Sequence, residues 1–242
     1  MPAQPAPGPG PHPDPVAFLR DAEISVQGRM PWSSNATFLV DLCLEDETDH
    51  AVYKPLRGER PLWDFPPGLG KRETAAWELS EALGWGLVPP TVYRDGPLGE
   101  GSVQLFVPAD FEQHYFTLME DEANHPQLRR VGVFDVVANN TDRKSGHCLL
   151  APDGRIYGID HGLAFHEDFK LRTVIWEFGG EPVPDDLLAD LAALVGRGLP
   201  PAFDPLLSAE ERAALLFRAQ ALVDSGVFPV DHSGRQYPWP LV

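Results

Sequence analysis

The chain has 242 residues, which is long enough for one two-lobed domain with a sizeable buried core. Its 36 acidic residues against 19 basic ones give a formal net charge of −17, a field that repels nucleic acid and anionic lipid, so we expect no nucleic-acid partner and no stable membrane anchoring. The lack of a long apolar run or a cationic leader, together with two cysteines in no paired spacing, favours a cytoplasmic protein.

Residues 1–15 form the first predicted segment. They are rich in proline and glycine and have almost nothing to bury, which predicts a disordered or polyproline-like tail. Beyond it, residues 23–27 alternate like a strand that Gly28 ends. The apolar run 38–44 and residues 51–54 predict two further strands on either side of a polar turn.

Small residues fill the connection between the first two predicted strands. The N–H groups and hydroxyls of such a loop can cover phosphate oxygens, because each N–H is a fixed dipole that points at the anion. Ser33, Ser34 and Thr37 are the candidate phosphate contacts. The segment lacks the spacing of a Walker P-loop, so a plain hairpin connection explains it equally well.

A lysine and a helix come next along the chain. Lys54 ends the strand 51–54, where a lysine is ordinarily a solvated edge residue. Residues 71–83 contain strong helix formers with apolar residues at core spacing, and Gly84 ends the helix. Three glutamates of this helix are all able to face solvent: Glu73, Glu78 and Glu81.

Residues 91–94 and 101–108 predict a second hairpin, around a turn at residues 95–97. Further along, apolar residues recur at helical spacing, namely Leu128, Val131, Phe134 and Val137. Because the apolar face of this helix must pack on a core, the helix should deliver residues 139–147 as a loop from a buried support.

The loop 139–147 crowds acids, amides and histidines into a few residues. Two short strands are predicted after it, joined across the turn at 152–154. They cover residues 147–150 and 155–159. Such a hairpin would bring Asp142 and Asp160 together, and two neighbouring carboxylates need a shared proton, a cation such as Arg143, or a divalent metal.

Each of these polar side chains, taken singly, also fits a solvated loop. Together with His147, His161 and His166 they would suit a metal-dependent hydrolase, although no two histidines have the i, i+4 spacing of a helical zinc site. The last predicted elements are amphipathic helices at residues 185–195 and 208–223. A capping box, Ser208 with Glu211, begins the second of them.

Two segments carry a family resemblance: Asn140-Thr-Asp-Arg143 followed by His147, and Ile159-Asp-His-Gly-Leu-Ala-Phe165. They closely resemble the catalytic loop and the metal-binding loop of type II phosphatidylinositol 4-kinases, within the phosphatidylinositol 3-/4-kinase-like family. Further matches lie in order along the chain at Lys54-Pro55, Glu73-x-x-Ala76 and Gln104-Leu-Phe-Val107. The resemblance implies an α+β, two-lobed protein-kinase-like fold. In such a fold the antiparallel β N-lobe would span residues 16–108 and the mainly helical C-lobe would span residues 109–242.

The resemblance also implies roles for site residues in ATP-dependent phosphate transfer. Lys54 would clamp the ATP phosphates and Glu73 would hold Lys54. Asp142 would orient the acceptor hydroxyl, with Arg143 balancing the charge of the loop. Asp160 and His147 would bind magnesium or manganese. The adenine would bind to the connection between the lobes, through Gln104, Phe106 and Val107, with its ring between Val52, Leu105 and Ile159.

His147 is a departure from the family, which has an asparagine there as a second magnesium ligand. Asn139 and Asn140 are nearby oxygen donors that could replace it, since magnesium prefers hard oxygens. Three activities stay open. The first is a kinase acting on a hydroxyl of a protein, polyol or inositol-type acceptor, and the second, which His147 suggests, is a nucleotide-binding pseudokinase or regulatory module. The third is a transferase that moves AMP, since a flipped nucleotide in the same pocket would use many of the same residues. The acidic charge favours a protein or a soluble polyol over a lipid.

Overall fold

The computed structural model describes residues 12–30 and 35–241. Its N-terminal half contains five strands: β1 (Glu23–Arg29), β2 (Phe38–Leu44), β3 (Glu47–Pro55), β4 (Thr91–Gly96) and β5 (Gly99–Leu105). They form one antiparallel sheet in the order β1-β2-β3-β5-β4. The antiparallel sheet predicted for this half is therefore confirmed.

Two strand boundaries differ from the prediction. β1 continues past Gly28, with a change of register after Val26, because a residue without a side chain accommodates a β-bulge. β3 begins at Glu47 and not at Ala51, because the polar residues 47–50 also pair across the hairpin with β2. Polarity marks exposed residues of a strand as readily as it marks a turn.

The sheet is covered on both faces. On one face α1 (Pro15–Asp21) packs Phe18 and Leu19 against buried residues of β3 and β5, among them Tyr53 and Val103. Because side chains alternate along a strand, Lys54 lies on the opposite face. There α2 (Leu69–Ala82) packs on β4 and β5.

The second half of the chain is mainly helical. Its helices are α3 (Tyr115–Leu118), α4 (His125–Ala138), α5 (Asp185–Arg197) and α6 (Ala209–Ser225). A two-stranded hairpin, β6 (Cys148–Leu150) and β7 (Ile156–Gly158), lies after α4. Short 3-10 turns occur at Leu56–Gly58, Glu122–Asn124, Ser145–His147 and Pro201–Phe203. The apolar residues predicted for the buried face of α4 are fully buried in the main core.

The caps of α6 agree with the prediction. The Ser208 hydroxyl accepts the N–H of Glu211 at 3.1 Å, and the Glu211 carboxylate accepts the N–H of Ser208 at 2.9 Å. Gly226, with a φ of 65°, ends the helix in the left-handed region. Within the described part of the chain, no helix is long and apolar enough to cross a bilayer.

The N-terminal prediction is tested only in part. Residues 1–11 of the predicted tail, and the predicted phosphate contacts Ser33 and Ser34, lie outside the described residues. Pro15, which the prediction placed in the tail, instead begins α1, with the Asp14 side chain accepting the N–H of Ala17 at 3.0 Å. Proline suits the first turn of a helix, where its missing N–H would have no partner.

Candidate active site

A cavity of about 340 Å³ lies between the sheet and the helical half. β3 and α2 supply one wall, and the loops after α4 and after β7 supply the other. Its titratable lining residues are Lys54, Glu59, Glu73, Asp142, Lys144, His147 and Asp160. A larger groove of about 420 Å³ beside α6 is lined almost entirely by apolar side chains and contains none of the predicted site residues.

Lys54 lies at the centre of an ion-pair network in this cavity. Its Nζ donates to Asp160 Oδ1 at 2.7 Å and to Glu73 Oε1. Glu73 is buried, and its second carboxylate oxygen accepts the N–H of His161 at 2.9 Å. Burial acts to lower the pKa of Lys54, but the carboxylates of Asp160 and Glu73 outweigh burial and raise that pKa above its usual value. Lys54 is therefore a permanent cation.

Asp160 combines an unusual backbone with an open side chain. Its φ of 59° lies in the left-handed region, which aspartate adopts more readily than most residues. The Lys54 ammonium holds the pKa of Asp160 well below its usual range, against the opposing effect of burial. The side chain is 48% exposed, so a ligand in the cavity can reach the carboxylate. Such backbone conformations cluster at functional sites.

Asp142 lies in the loop after α4 and faces the same cavity. Its backbone N–H donates to Asn140 Oδ1 at 3.0 Å, and its Oδ2 lies 3.2 Å from Lys144 Nζ. Partial burial raises the pKa of Asp142, and Lys144 opposes that rise. The N–H and the hydroxyl of Thr141 both donate to the Leu163 carbonyl at 2.8 Å, which joins this loop to the loop that carries Asp160.

His147 contacts Asp160, with Nε2 at 3.4 Å from Asp160 Oδ2. Burial lowers the pKa of His147 to about 4, so the ring is neutral near pH 7. The backbone N–H of Lys144 donates to Nδ1 at 3.4 Å. In the neutral ring the proton consequently lies on Nε2, on the side of Asp160, and this tautomer is assigned from the hydrogen bonds.

Arg143 does not enter the cavity, which corrects its predicted catalytic role. The side chain is fully buried, and its guanidinium donates to Asp135 Oδ1 at 2.9 Å and to the Ile159 carbonyl at 2.7 Å. His161 Nε2 is a third partner at 2.6 Å. A buried guanidinium needs a charged partner and several acceptors, and Asp135 with these groups supplies them. Arg143 joins the loop after α4 to the loop after β7.

The resembling family has an asparagine where this chain has His147, and neither Asn139 nor Asn140 takes its place. Both are fully buried. The Asn140 amide donates to Asp135 Oδ1 at 3.0 Å, while the Asn139 amide donates to the carbonyls of His166 at 2.9 Å and Asp168 at 2.7 Å. Their side chains hold loops together and face away from the cavity.

The predicted adenine contacts are brought together only in part. Gln104 is buried and its amide donates to Thr91 Oγ1 at 2.8 Å, so its side chain serves the sheet. The N–H of Phe106 donates to the His50 carbonyl at 3.0 Å, which continues the pairing with β3. Leu105 is wrong as an adenine contact, because the register turns it towards α1 on the other face.

Val107 and Thr37 remain compatible with their predicted roles. Val107 belongs to a small apolar cluster with Leu149 and Tyr157, against which Ile159 packs. Thr37 lines the cavity. No group of three or more His, Cys, Asp or Glu side chains that could hold a metal ion occurs among residues 12–30 and 35–241.

No family model matches the chain. The chain is 43% identical to Protein Rv2133c of Mycobacterium tuberculosis. The alignment has 264 positions and covers 94% of this chain and 95% of that protein. The chain belongs to the family of Protein Rv2133c. The two chains match over nearly their full lengths, so the relationship includes both halves of the fold.

Solved structures show the fold of this Rv2133c family. A crystal structure of the Helicobacter pylori proinflammatory kinase CtkA has a TM-score of 0.50 at 13% identity, covering 87% of this chain and 94% of that one. The structure of hydra Fam20 with sugar has a TM-score of 0.53 at 14% identity, covering 90% and 91%. At such identity the likeness shows the fold alone. It confirms the predicted α+β protein-kinase-like class, while membership of the phosphatidylinositol 3-/4-kinase-like family stays a prediction.

Several cavity residues escaped the sequence analysis. Lys144 is close enough to Asp142 in sequence to have been found, because a loop that gathers two carboxylates needs a cation. Glu59 accepts the N–H groups of Gly68 and Gly70 at 3.0 Å and so fixes the start of α2. Pro240 reaches the cavity from the C-terminal segment, a contact that no local pattern indicates.

Proposed function

We propose that this protein is an ATP-dependent phosphotransferase that moves the γ-phosphate of ATP to a hydroxyl group of its acceptor. One observation supports this above all. A protein-kinase-like fold places Lys54, Glu73, Asp142 and Asp160 around a single cavity between its two halves. Phosphoryl transfer relies on positioning and on charge stabilisation, and these are the groups that supply both.

Lys54 is the proposed phosphate clamp. Its raised pKa keeps it charged, and Glu73 holds the ammonium from the buried side. An incoming triphosphate would take over the contact that Lys54 now makes with Asp160, because phosphate oxygens are the stronger anionic partners. Thr37 at the cavity wall, and Ser33 and Ser34 beyond the described residues, are proposed contacts of the same phosphates.

Asp160 is the proposed ligand of a magnesium or manganese ion. Its carboxylate is ionised, partly exposed and free to turn to a ligand once Lys54 turns to phosphate, and carboxylate oxygens suit both ions. When bound, the ion would neutralise charge that develops on the phosphate oxygens. His147, whose Nε2 carries a proton, fits a donor to Asp160 or to phosphate, and it could ligate manganese only after a change of tautomer.

Asp142 is the proposed orienting group and proton acceptor for the acceptor hydroxyl. As the hydroxyl oxygen bonds to phosphorus, the bond from phosphorus to the bridging oxygen of ADP breaks and the hydroxyl proton passes to Asp142. The raised pKa of Asp142 makes it a better base than an ordinary aspartate. Before the transfer, Lys144 stabilises Asp142 in its ionised form.

The finer identity of the reaction is also a proposal. The motifs of the catalytic and metal-binding loops support a phosphatidylinositol 3-/4-kinase-like enzyme, with the adenine bound near Val107 and the carbonyl of Phe106. The formal charge of −17 supports a protein or soluble polyol acceptor over an inositol lipid, and a cytoplasmic location.

One observation favours a second candidate, a nucleotide-binding module without efficient catalysis. The neutral His147 presents a proton, and not an oxygen, where the resembling kinases have a second metal ligand. Binding of ATP would survive the loss of that ligand while transfer slowed. AMP transfer from a reversed nucleotide would use the same lysine and aspartates.

The deciding experiment incubates the purified protein with ATP and cell extract and identifies the products by mass spectrometry. We expect ADP and an acceptor heavier by one phosphate, lost on Asp142→Ala and on Asp160→Ala. Arg155→Gln, in the exposed turn between β6 and β7, is the matched control. Products carrying AMP would select the transferase, binding without turnover would select the module, and turnover by Asp142→Ala would contradict the mechanism.

A further inference from the structure

Two consecutive residues of α2 face different parts of the molecule. Glu73 faces the cavity and Lys54. Arg72 faces the helical half, where its guanidinium forms an ion pair with Glu211 of α6 and its Nε donates to the Ala164 carbonyl at 3.0 Å. Arg72 is 3% exposed and Glu211 is 8% exposed, so the pair is largely buried.

The two partners of this ion pair are each held in place. Glu211 also accepts the N–H of Ser208 in the capping box of α6. The Arg72 guanidinium lies over the Phe65 ring, 5.0 Å from its centroid. Each side chain has a second partner that limits its movement. The ion pair therefore constrains the position of α2, which an exposed ion pair between flexible side chains would not do.

The constraint acts on Glu73 through the helix. Neighbouring residues of an α-helix point about 100° apart, so one rotation or shift of α2 moves both side chains together. Apolar side chains of α2, among them Ala76 and Leu79, also pack in the main core, but such packing is not directional. If the contact of Arg72 with α6 were lost, the bond of Glu73 to the His161 N–H would remain as a directed contact between α2 and the helical half. The Lys54–Glu73 ion pair would then be formed in only part of the molecules.

We propose that Arg72 and Glu211 are a positioning pair that fixes the rotation of α2, keeps Glu73 on Lys54, and thereby sets the affinity of the cavity for nucleotide phosphates. The last step rests on the proposed function, whereas the fixing of α2 does not. Neither residue lines the cavity wall beside Lys54, so both act through α2 and Glu73.

A second buried arginine, on the helix that carries Glu211, provides a matched control. Arg218 of α6 is 7% exposed and donates to the carbonyl of Val137 at 2.9 Å and that of His166 at 3.3 Å, both in the helical half. Arg218→Met therefore removes a buried guanidinium from α6, and a charge that acts on Glu211, without removing a bond to α2. It should lower the thermal stability as Arg72→Met does.

The test measures amide hydrogen exchange of residues 69–82 and the steady-state constants for ATP with magnesium. We expect Arg72→Met and Glu211→Gln to speed exchange in α2 by about five- to tenfold and to raise KM for ATP by a similar factor. Arg218→Met should leave both quantities near those of the wild type. If Arg72→Met does not fold, Arg72→Lys gives the same readouts, since it keeps the charge and loses the forked geometry.

Equal exchange of α2 in the Arg72 and Arg218 variants, with both folded, would overturn the positioning pair. Faster exchange of α2 with an unchanged KM would overturn its effect on nucleotide affinity. If exchange of α2 is faster in the Arg72 variant but the wild type itself turns over no ATP, the positioning pair is supported and the proposed function is contradicted. The two ideas therefore fail separately.

Discussion

At the scale of single residues, the cavity depends on side chains whose partners fix their charge. Lys54 stays protonated between two carboxylates, Asp160 stays ionised beside Lys54, and burial keeps His147 neutral. Burial raises the pKa of Asp142, and Lys144 opposes the rise. Protonation of Asp142 should therefore control the acid side of the activity profile.

Replacing Lys144 tests that control. A base must be ionised, so activity falls as pH drops through the pKa of Asp142. Lys144→Met removes a cation that lowers this pKa, and the acid limb of kcat should move to higher pH. Arg155→Gln removes an exposed cation elsewhere and should leave the limb in place. A pH profile of kcat measures both variants, and an unmoved limb in Lys144→Met would speak against Asp142 as the base.

Replacing His147 tests the metal site. His147→Asn puts an oxygen donor where the neutral ring now presents Nε2–H to Asp160. Because magnesium prefers oxygen ligands, the apparent affinity for magnesium in ATP turnover should rise roughly tenfold. Turnover is measured against magnesium concentration at saturating ATP. A lower magnesium affinity in the variant would mean that the imidazole itself contributes to the metal site.

Arg143 should matter chiefly to stability. Arg143→Met leaves Asp135 buried without its cation, which costs about 3–5 kcal/mol of unfolding free energy. Urea unfolding measures this loss, with Arg155→Gln, at an exposed pair, as the variant that should change it little. A loss below about 1 kcal/mol would mean that the buried pair does not join the loops as described.

At the scale of elements, the sequence predicted what depends on local pattern. Periodicity located α4 and α6, and the capping residues of α6 were visible in the sequence because a cap is satisfied within one turn. Register was not visible. A one-residue difference decides which face a side chain joins, and on that basis Leu105 packs against α1 whereas Lys54 faces α2. The pairing of Arg72 with Glu211 joins residues far apart in the chain, so no spacing rule could indicate it.

The pairing of β3 with β5 can be tested at one glycine. A Cβ at Gly101 would lie 2.4 Å from the Lys54 carbonyl oxygen, so Gly101→Ala must push β3 away from β5 next to the phosphate-binding lysine. We expect a loss of about 1–3 kcal/mol in stability, measured by urea unfolding, and, if Lys54 is the proposed phosphate clamp, weaker ATP binding. Gly196→Ala in α5, where a Cβ meets nothing within 4 Å, is the control and should cause no loss of stability. Equal losses in the two variants would contradict the described register.

At the scale of the whole molecule, an acidic protein places two lysines among four carboxylates at one cavity. The formal charge is −17, yet Lys54 and Lys144 both face the space between the sheet and the helical half. A triphosphate with a divalent cation carries a smaller net charge than the bare nucleotide, so it suits this environment better. Binding of ATP should accordingly depend on the cation, which is the central claim in its simplest form.

Calorimetric titration of ATP into the wild-type protein and into Asp160→Asn, each with and without magnesium, tests that claim most directly. The wild type should bind ATP with magnesium and lose most of that affinity without it, while Asp160→Asn should bind weakly and with little dependence on magnesium. Binding by Asp160→Asn that equals the wild type, or no binding by the folded wild type with magnesium or manganese, would contradict a nucleotide site built on Lys54 and Asp160.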